Sequence, residues 1–179
     1  MQPQSLILAL VLTFSQLASA DSLSDATLAM EAGQPNQAAK LLTPLANSGN
    51  PAAQHQLAML YYMGQGVPED ENQAIYLWKK AAAQGSIDSM FQLGSAFLFG
   101  SQAAKIVPDP DREAAIWYFQ AASAGHAEAQ YHLGLLFLAG KGVISSKVES
   151  ARWMKKAAAQ GHSEAKKALG IMSPTVKTK

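Results

Sequence analysis

The stretch AQYHLGLLFLAGKGV at residues 129–143 is one of three copies of a single pattern. The first copy reads AQHQLAMLYYMGQGV at 53–67, and the middle copy reads SMFQLGSAFLFG at 89–100. A second pattern follows each of them: LWKKAAAQG at 77–85, WYFQAASAG at 117–125 and WMKKAAAQG at 153–161. The first pattern recurs after 36 residues and then after 40, because the middle loop carries four extra residues. Self-similarity at such a period indicates a repeat protein.

Each half of the repeat predicts a helix, since apolar residues such as Leu57 and Tyr61, or Leu77 and Ala81, recur at helical spacing. Glycines are expected to end these helices in the left-handed conformation: Gly64, Gly100 and Gly140 after the first helices, and Gly85, Gly125 and Gly161 after the second. Ala58, Gly94 and Gly134 share a column where a small residue lets helices approach closely. One helix pair cannot bury its apolar face alone, so neighbouring pairs are predicted to stack into a solenoid.

The columns A-x-x-x-L-G-x-x-Y/F-x-x-G-x-G-V, followed by W-Y/M-x-K-A-A-x-x-G-H, resemble the Sel1-like repeat, a relative of the tetratricopeptide repeat. The resemblance covers about residues 51–170. It implies an all-α fold, a right-handed α-solenoid of antiparallel helix pairs. Proteins similar to this family mostly act as adaptors or scaffolds, and exported bacterial members are periplasmic regulators, envelope-assembly partners or host-interaction factors. Departures from the pattern, such as Leu77 in the aromatic column, affect loops and packing details more than the fold.

The predicted organisation follows the repeat. Residues 1–20 form a signal peptide, 21–50 a degenerate helix pair, 51–86 a repeat, 87–126 a repeat with a loop insertion, and 127–162 a repeat. Residues 163–172 are expected to form a capping helix and 173–179 a disordered tail. An open solenoid end could also stack on another copy, so a homo-oligomer stays an alternative.

An apolar run from Leu6 to Phe14 and the small-x-small sequence Ala18-Ser19-Ala20 are typical of a secretory signal peptide. Cleavage is predicted after Ala20, and the protein is then periplasmic or secreted. An uncleaved anchor and an N-terminal core helix are the alternatives. The chain has no cysteine, which excludes disulfides, thiol nucleophiles and a lipid-modified cysteine.

The positive charge is concentrated at the C-terminal end. Residues 141–179 hold nine of the 14 Lys and Arg residues and only two of the 13 acidic ones. One hypothesis is therefore an envelope component that binds anionic lipid or glycan, with peripheral membrane association at most. The simpler interpretation is a solvated face, and nothing indicates a nucleic-acid partner. The basic residues of this hypothesis are Arg152, Lys155, Lys156, Lys166 and Lys167.

The first hypothesis is an adaptor that binds a protein or peptide segment in a concave groove. In related solenoids the first helices of successive repeats line the concave face, and here those positions are apolar and aromatic. Large apolar side chains are where binding energy concentrates. The alternative is that these residues pack as core, or around the protein's own N-terminal helices. The groove residues are His55, Met59, Tyr62, Phe91, Leu98, Phe99, Tyr131 and Leu135.

Catalytic and metal-binding patterns are absent from the sequence. There is no phosphate-binding loop, no serine elbow and no zinc helix, so no cofactor or metal is predicted and the chain is not expected to be an enzyme. A cell-wall-related hydrolase is the lesser alternative. His126 and His162 share a column directly after a helix-ending glycine, which favours a turn or capping role over metal binding.

Overall fold

The computed structural model describes residues 22–172, with the side chains of residues 103, 104 and 172 left out. The predicted signal peptide at 1–20 and the predicted disordered tail at 173–179 lie outside this range. Residues 22–172 form helices and no strand. The helices are α1 (22–31), α2 (Pro35–Asn47), α3 (Pro51–Met63), α4 (Glu71–Ala83), α5 (Ile87–Phe99), α6 (Ala103–Ile106), α7 (Pro110–Ser123), α8 (Ala127–Ala139), α9 (Lys147–Ala159) and α10 (Ser163–Met172).

The chain divides into two compact units, Met1–Gln84 and Gly85–Lys179. In the first unit α3 and α4 are antiparallel neighbours, because hydrogen bonds join opposite ends of the two helices. The Asp70 amide donates to the Tyr61 carbonyl at 2.9 Å, and the Gln84 side-chain amide donates to Gln54 Oε1 at 3.0 Å. The second unit repeats this arrangement in α8 and α9, where Gln160 donates to Gln130 Oε1 at 2.9 Å. Successive helices thus form the antiparallel pairs of an α-solenoid fold, which confirms the predicted fold class at this level.

Polar side chains cap the first turns of several helices. Asp70 caps α4 and Asp109 caps α7, each through a carboxylate oxygen that accepts a backbone N–H three residues on. Such caps satisfy amides that the first turn leaves unpaired. His126 and His162 have the predicted capping role: their Nδ1 atoms accept the amides of Ala129 and Ala165, each at 3.2 Å.

The middle loop differs from expectation. Gly100 follows α5 with φ −71° and ψ 150°, so it does not have the left-handed conformation predicted for it, whereas Gly140 does, with φ 70°. The physical reason is the insertion: after Gly100 the chain bends at residues 101–102 and enters the short helix α6 at Ala103, so it does not make the left-handed glycine turn that follows α8. The sequence predicted only a loop at this insertion, without the short helix α6.

The small-residue column gives close helix packing, as predicted. A Cβ added at Gly94 would lie 2.6 Å from the ring of Tyr118, and one at Gly134 would lie 2.8 Å from Cγ of Met154. Tyr118 and Met154 are both fully buried, so each helix pair in the second unit packs a large side chain on a bare helix backbone. Of the described helices, none combines the length and the apolar character needed to cross a bilayer.

Candidate interaction surfaces

His132 on α8 lies at the centre of a cluster of rings in the second unit. Its imidazole stacks on the ring of Tyr118, with centroids 5.2 Å apart and planes 7° apart. The rings of Phe91, Phe99 and Tyr131 lie 6.0, 6.3 and 5.7 Å from it. We call this cluster the aromatic–imidazole surface; its members are Phe91, Phe99, Tyr118, His126, Tyr131, His132 and His162.

Two further imidazoles fix the helices under this surface. His162 caps α10 through Nδ1, which accepts the Ala165 amide, and its Nε2 lies 2.9 Å from Glu128 Oε2, within hydrogen-bonding distance. His126 repeats the arrangement one repeat earlier, with Nε2 3.6 Å from Asp88 Oδ1. Each imidazole therefore joins the start of its own helix to a carboxylate on the first turn of the preceding α8 or α5.

Glu128 also approaches His132, at 3.4 Å between Oε1 and Nε2. This carboxylate favours the charged imidazole, but burial disfavours it more strongly, so the pKa of His132 lies below its ordinary value. His132 is thus a neutral ring at neutral pH, and the aromatic–imidazole surface has an apolar centre with a carboxylate at its edge.

The predicted groove residues of the second unit differ in how far their side chains are exposed. Phe99 is 68% exposed, whereas Phe91, Leu98, Tyr131 and Leu135 are half-buried. Tyr131 and Leu135 pack against the buried cluster of Met154, Ala157 and Ala165. The groove and core interpretations therefore both describe part of this set. His132 was not among the predicted residues, because its column holds Gln56 and Gln92 in the other repeats and carries no aromatic signal.

The predicted groove residues of the first unit have different surroundings. His55 and Met59 line a cavity of about 240 Å³ together with Gln56, Leu42 of α2, and Thr27 and Met30 of α1. Tyr62 packs on Trp78 with ring centroids 5.3 Å apart, and burial, followed by the nearby Glu71 and Glu69, raises the pKa of its hydroxyl. In this unit α1 therefore packs beside the predicted groove positions.

The five predicted basic residues are exposed and only partly paired. Arg152 lies 3.4 Å from Glu149, Lys167 lies 3.9 Å from Glu164, and the Lys156 ammonium lies 4.3 Å from the centre of the Trp153 ring. Surface pairs of this kind contribute little to stability. Across residues 22–172, no three His, Asp or Glu side chains form a group suited to a metal ion.

The family model for the Sel1 repeat matches residues 51–86, 87–126 and 127–162. Among solved structures, the chain is similar to a protective antigen present in uropathogenic Escherichia coli strains that displays an SLR fold, at 33% identity and a TM-score of 0.77. That match covers 90% of this chain and 35% of the antigen, so the chain spans about a third of the antigen's length. It is also similar to a Sel1 repeat protein from Oxalobacter formigenes, at 35% identity and a TM-score of 0.63, over 72% of this chain and 94% of the other. No curated protein matches.

Sel1 repeat proteins generally mediate protein–protein interaction and are typically non-catalytic scaffolds. The matched residues make up more than half of the chain, and the helix pairs, the glycine column and the helix caps described above fall within them. The chain belongs to the Sel1 repeat family.

Proposed function

We propose that the protein is a non-catalytic adaptor that binds a protein segment on the aromatic–imidazole surface of the second unit. The observation that carries this proposal is Phe99, a large aromatic side chain 68% exposed beside rings that are themselves held in place. An exposed aromatic side chain beside an apolar surface that is already in place is a typical anchor point for a partner.

The surface needs little rearrangement to bind. Tyr118 is fully buried, and its hydroxyl lies 3.0 Å from that of Ser95, within hydrogen-bonding distance. Phe91 stacks on His126 with centroids 4.6 Å apart. Since these side chains are already ordered, a partner that packs on Phe99 and Leu98 loses little additional conformational entropy of this chain.

The first unit does not support the same role equally. His55 and Met59 line a cavity that residues of α1 also line. Those contacts support the alternative in which N-terminal helices pack around the predicted groove positions. We therefore place the partner-binding residues on the second unit, with Phe99 and Leu98 as direct contacts and Phe91, Tyr131 and Leu135 as the support beneath them.

The test uses peptides selected from a displayed random library for binding to the full chain. Phe99→Ser should weaken the binding of the selected peptides at least about tenfold, because a buried aromatic anchor contributes about 2 kcal/mol or more. The matched control is Ile116→Ser, which removes another exposed apolar side chain, 43% accessible, from α7. Affinities are measured by isothermal titration calorimetry, with circular dichroism to verify the fold.

Equal affinity of the wild-type chain and Phe99→Ser, together with a loss in Ile116→Ser, would place the binding site elsewhere. Substitution of Phe91 or Tyr131 is a poorer test, because both rings pack against histidines that cap helices. A loss of binding there would not separate a lost contact from a lost cap.

We also propose that the adaptor acts outside the cytoplasm. The support is the sequence of residues 6–20, with its apolar run and small-x-small ending. N-terminal sequencing of the protein expressed in a bacterial host should find a chain that starts at Asp21 in the periplasm or medium. An intact Met1 in the cytoplasmic fraction would contradict export.

A further inference from the structure

Two aliphatic side chains near the start of α9 are almost fully accessible. Ile144, in the loop between α8 and α9, is 90% exposed, and Val148, in the first turn of α9, is 78% exposed. Single exposed apolar residues are common on protein surfaces. Two of them at this level of exposure within five residues make a small apolar protrusion.

Positive charges surround this protrusion. Lys141 and Lys147 are exposed and lie three residues on either side of Ile144, so their Cα atoms are at most about 11 Å from its own. That distance is close to the length over which salt screens a charge, about 8 Å at physiological ionic strength. The lysine charges therefore attract an anionic surface that Ile144 contacts. The Lys141 ammonium lies 3.5 Å from Asp111, and Arg152 lies 3.4 Å from Glu149, while Lys155 of α9 adds positive charge beyond them.

The corresponding loop of the first unit shows that the backbone does not require these residues. Residues 64–70 read GQGVPED and residues 140–146 read GKGVISS. Both loops have left-handed glycines at the same places, with φ 62° and 73° in the first and 70° and 65° in the second. The columns of Lys141, Ile144, Lys147 and Val148 hold Gln65, Pro68, Glu71 and Asn72. The same loop geometry therefore carries an acidic, polar surface in one unit and a basic, apolar surface in the other.

We propose that this α8–α9 tip, consisting of Lys141, Ile144, Lys147 and Val148, docks on an anionic lipid surface. Aliphatic side chains that protrude without a surrounding pocket can enter the acyl boundary, while adjacent lysines reach the head groups with their long stems. Protein–protein interfaces favour aromatic residues and arginine and are depleted in lysine. The composition of the tip is thus better suited to lipid than to an acidic protein.

The experiment exploits the absence of cysteine from the chain. Ile144→Cys and the matched control Pro68→Cys each give one site for a polarity-sensitive fluorophore in the full chain. Vesicles with equal amounts of phosphatidylglycerol and phosphatidylcholine should shift the emission of the label at 144 to the blue and leave the label at 68 unchanged. Pure phosphatidylcholine vesicles should give a much smaller shift. Adding Lys147→Gln should reduce the apparent partition coefficient about fivefold, since each basic residue near such a surface contributes on the order of 1 kcal/mol.

Three outcomes would overturn the proposal. No shift at 144 means that the tip does not enter the bilayer. Equal shifts at 144 and 68 mean that another part of the chain, such as the apolar run at 6–14, brings it to the vesicle. A shift at 144 with polyglutamate and none with vesicles assigns the tip to an acidic protein. Phe99→Ser should leave the vesicle response unchanged, because Phe99 belongs to the separate surface proposed for peptide binding.

Discussion

The α5–α7 pair and the α8–α9 pair use the same repeat columns but connect their helices differently. After α8 the chain turns at once through Gly140 and Gly142 and starts α9 at Lys147. After α5 it passes through α6 before it starts α7 at Pro110. The core column is alike in both, with glycine facing a large buried side chain. The repeat therefore tolerates change in its connection and much less in its packed column.

The short connection of α8–α9 is itself packed. A Cβ added at Gly142 would lie 2.1 Å from the carbonyl oxygen of Asp111, so this loop lies directly on the first turn of α7. The long connection of α5–α7 starts from Gly100 in an extended conformation. The comparison shows that tight turns in this protein join consecutive helix pairs as well as the two helices of one pair.

The largest expected loss of stability comes from disrupting the contact between the Gly142 loop and the first turn of α7. Gly142→Ala should lower the free energy of unfolding by more than about 3 kcal/mol, because the new Cβ meets backbone atoms and the residue has φ 65°. Urea denaturation followed by tryptophan fluorescence measures the loss. Gly161→Ala is the control: φ is 96° but nothing lies within 4 Å of its Cβ, so only conformational strain of about 1–2 kcal/mol is expected. Equal losses in the two variants would contradict a packed loop.

Alanine in the glycine column should change the unfolding free energy differently in the two pairs. Gly94→Ala places a Cβ against the stiff ring of Tyr118, whereas Gly134→Ala places one 2.8 Å from Cγ of the more flexible Met154 and 3.2 Å from the Ser150 carbonyl oxygen. Alanine gains about 1 kcal/mol of helix propensity at either site. We expect a net loss of about 2 kcal/mol for Gly94→Ala and a change within about 1 kcal/mol for Gly134→Ala. The same denaturation experiment compares them, and a larger loss at Gly134 would be inconsistent with this packing.

Much of this architecture could be predicted from the sequence because repetition multiplies a weak signal. Glycine recurring beside the leucine column predicted close packing, and a histidine after a helix-ending glycine predicted a cap. The aromatic–imidazole surface could not be predicted in the same way, since His132 occurs once in its column and acquires its role only through contacts between helices. The exposure of Ile144 also depends on what packs nearby, which periodicity does not specify.

A side-chain clamp distinguishes the pairs further. In α8–α9 the Gln130 amide donates to the Ala122 carbonyl at 3.1 Å, and its oxygen accepts from Gln160. In α5–α7 this column holds Met90, and the buried polar side chain beside it is Ser89, whose Oγ accepts a hydrogen bond from the Ser86 hydroxyl at 2.9 Å. Gln130→Ala should cost about 1–2 kcal/mol, because it removes one buried and one partly buried hydrogen bond, and Ser89→Ala about 0.5–1 kcal/mol. Thermal and urea unfolding measure both variants. A larger loss of unfolding free energy in Ser89→Ala than in Gln130→Ala would mean that the Gln130 hydrogen bonds are not the stronger interaction.

The smallest expected effect is on the pH dependence of the unfolding free energy, and it comes from His132 in the α8–α9 pair. Burial holds the pKa of His132 below its unfolded value, so between these two values the unfolded chain binds more protons than the folded one. The contribution is complete above the unfolded pKa, about 6.5, and is lost as the pH falls through the folded pKa. His132→Gln installs the residue that the other repeats hold in this column and should flatten the decline in unfolding free energy on acidification. Urea titrations at a series of pH values compare it with the wild-type chain. An unchanged slope in His132→Gln would mean that the carboxylate of Glu128, 3.4 Å away, fully offsets the burial of the ring.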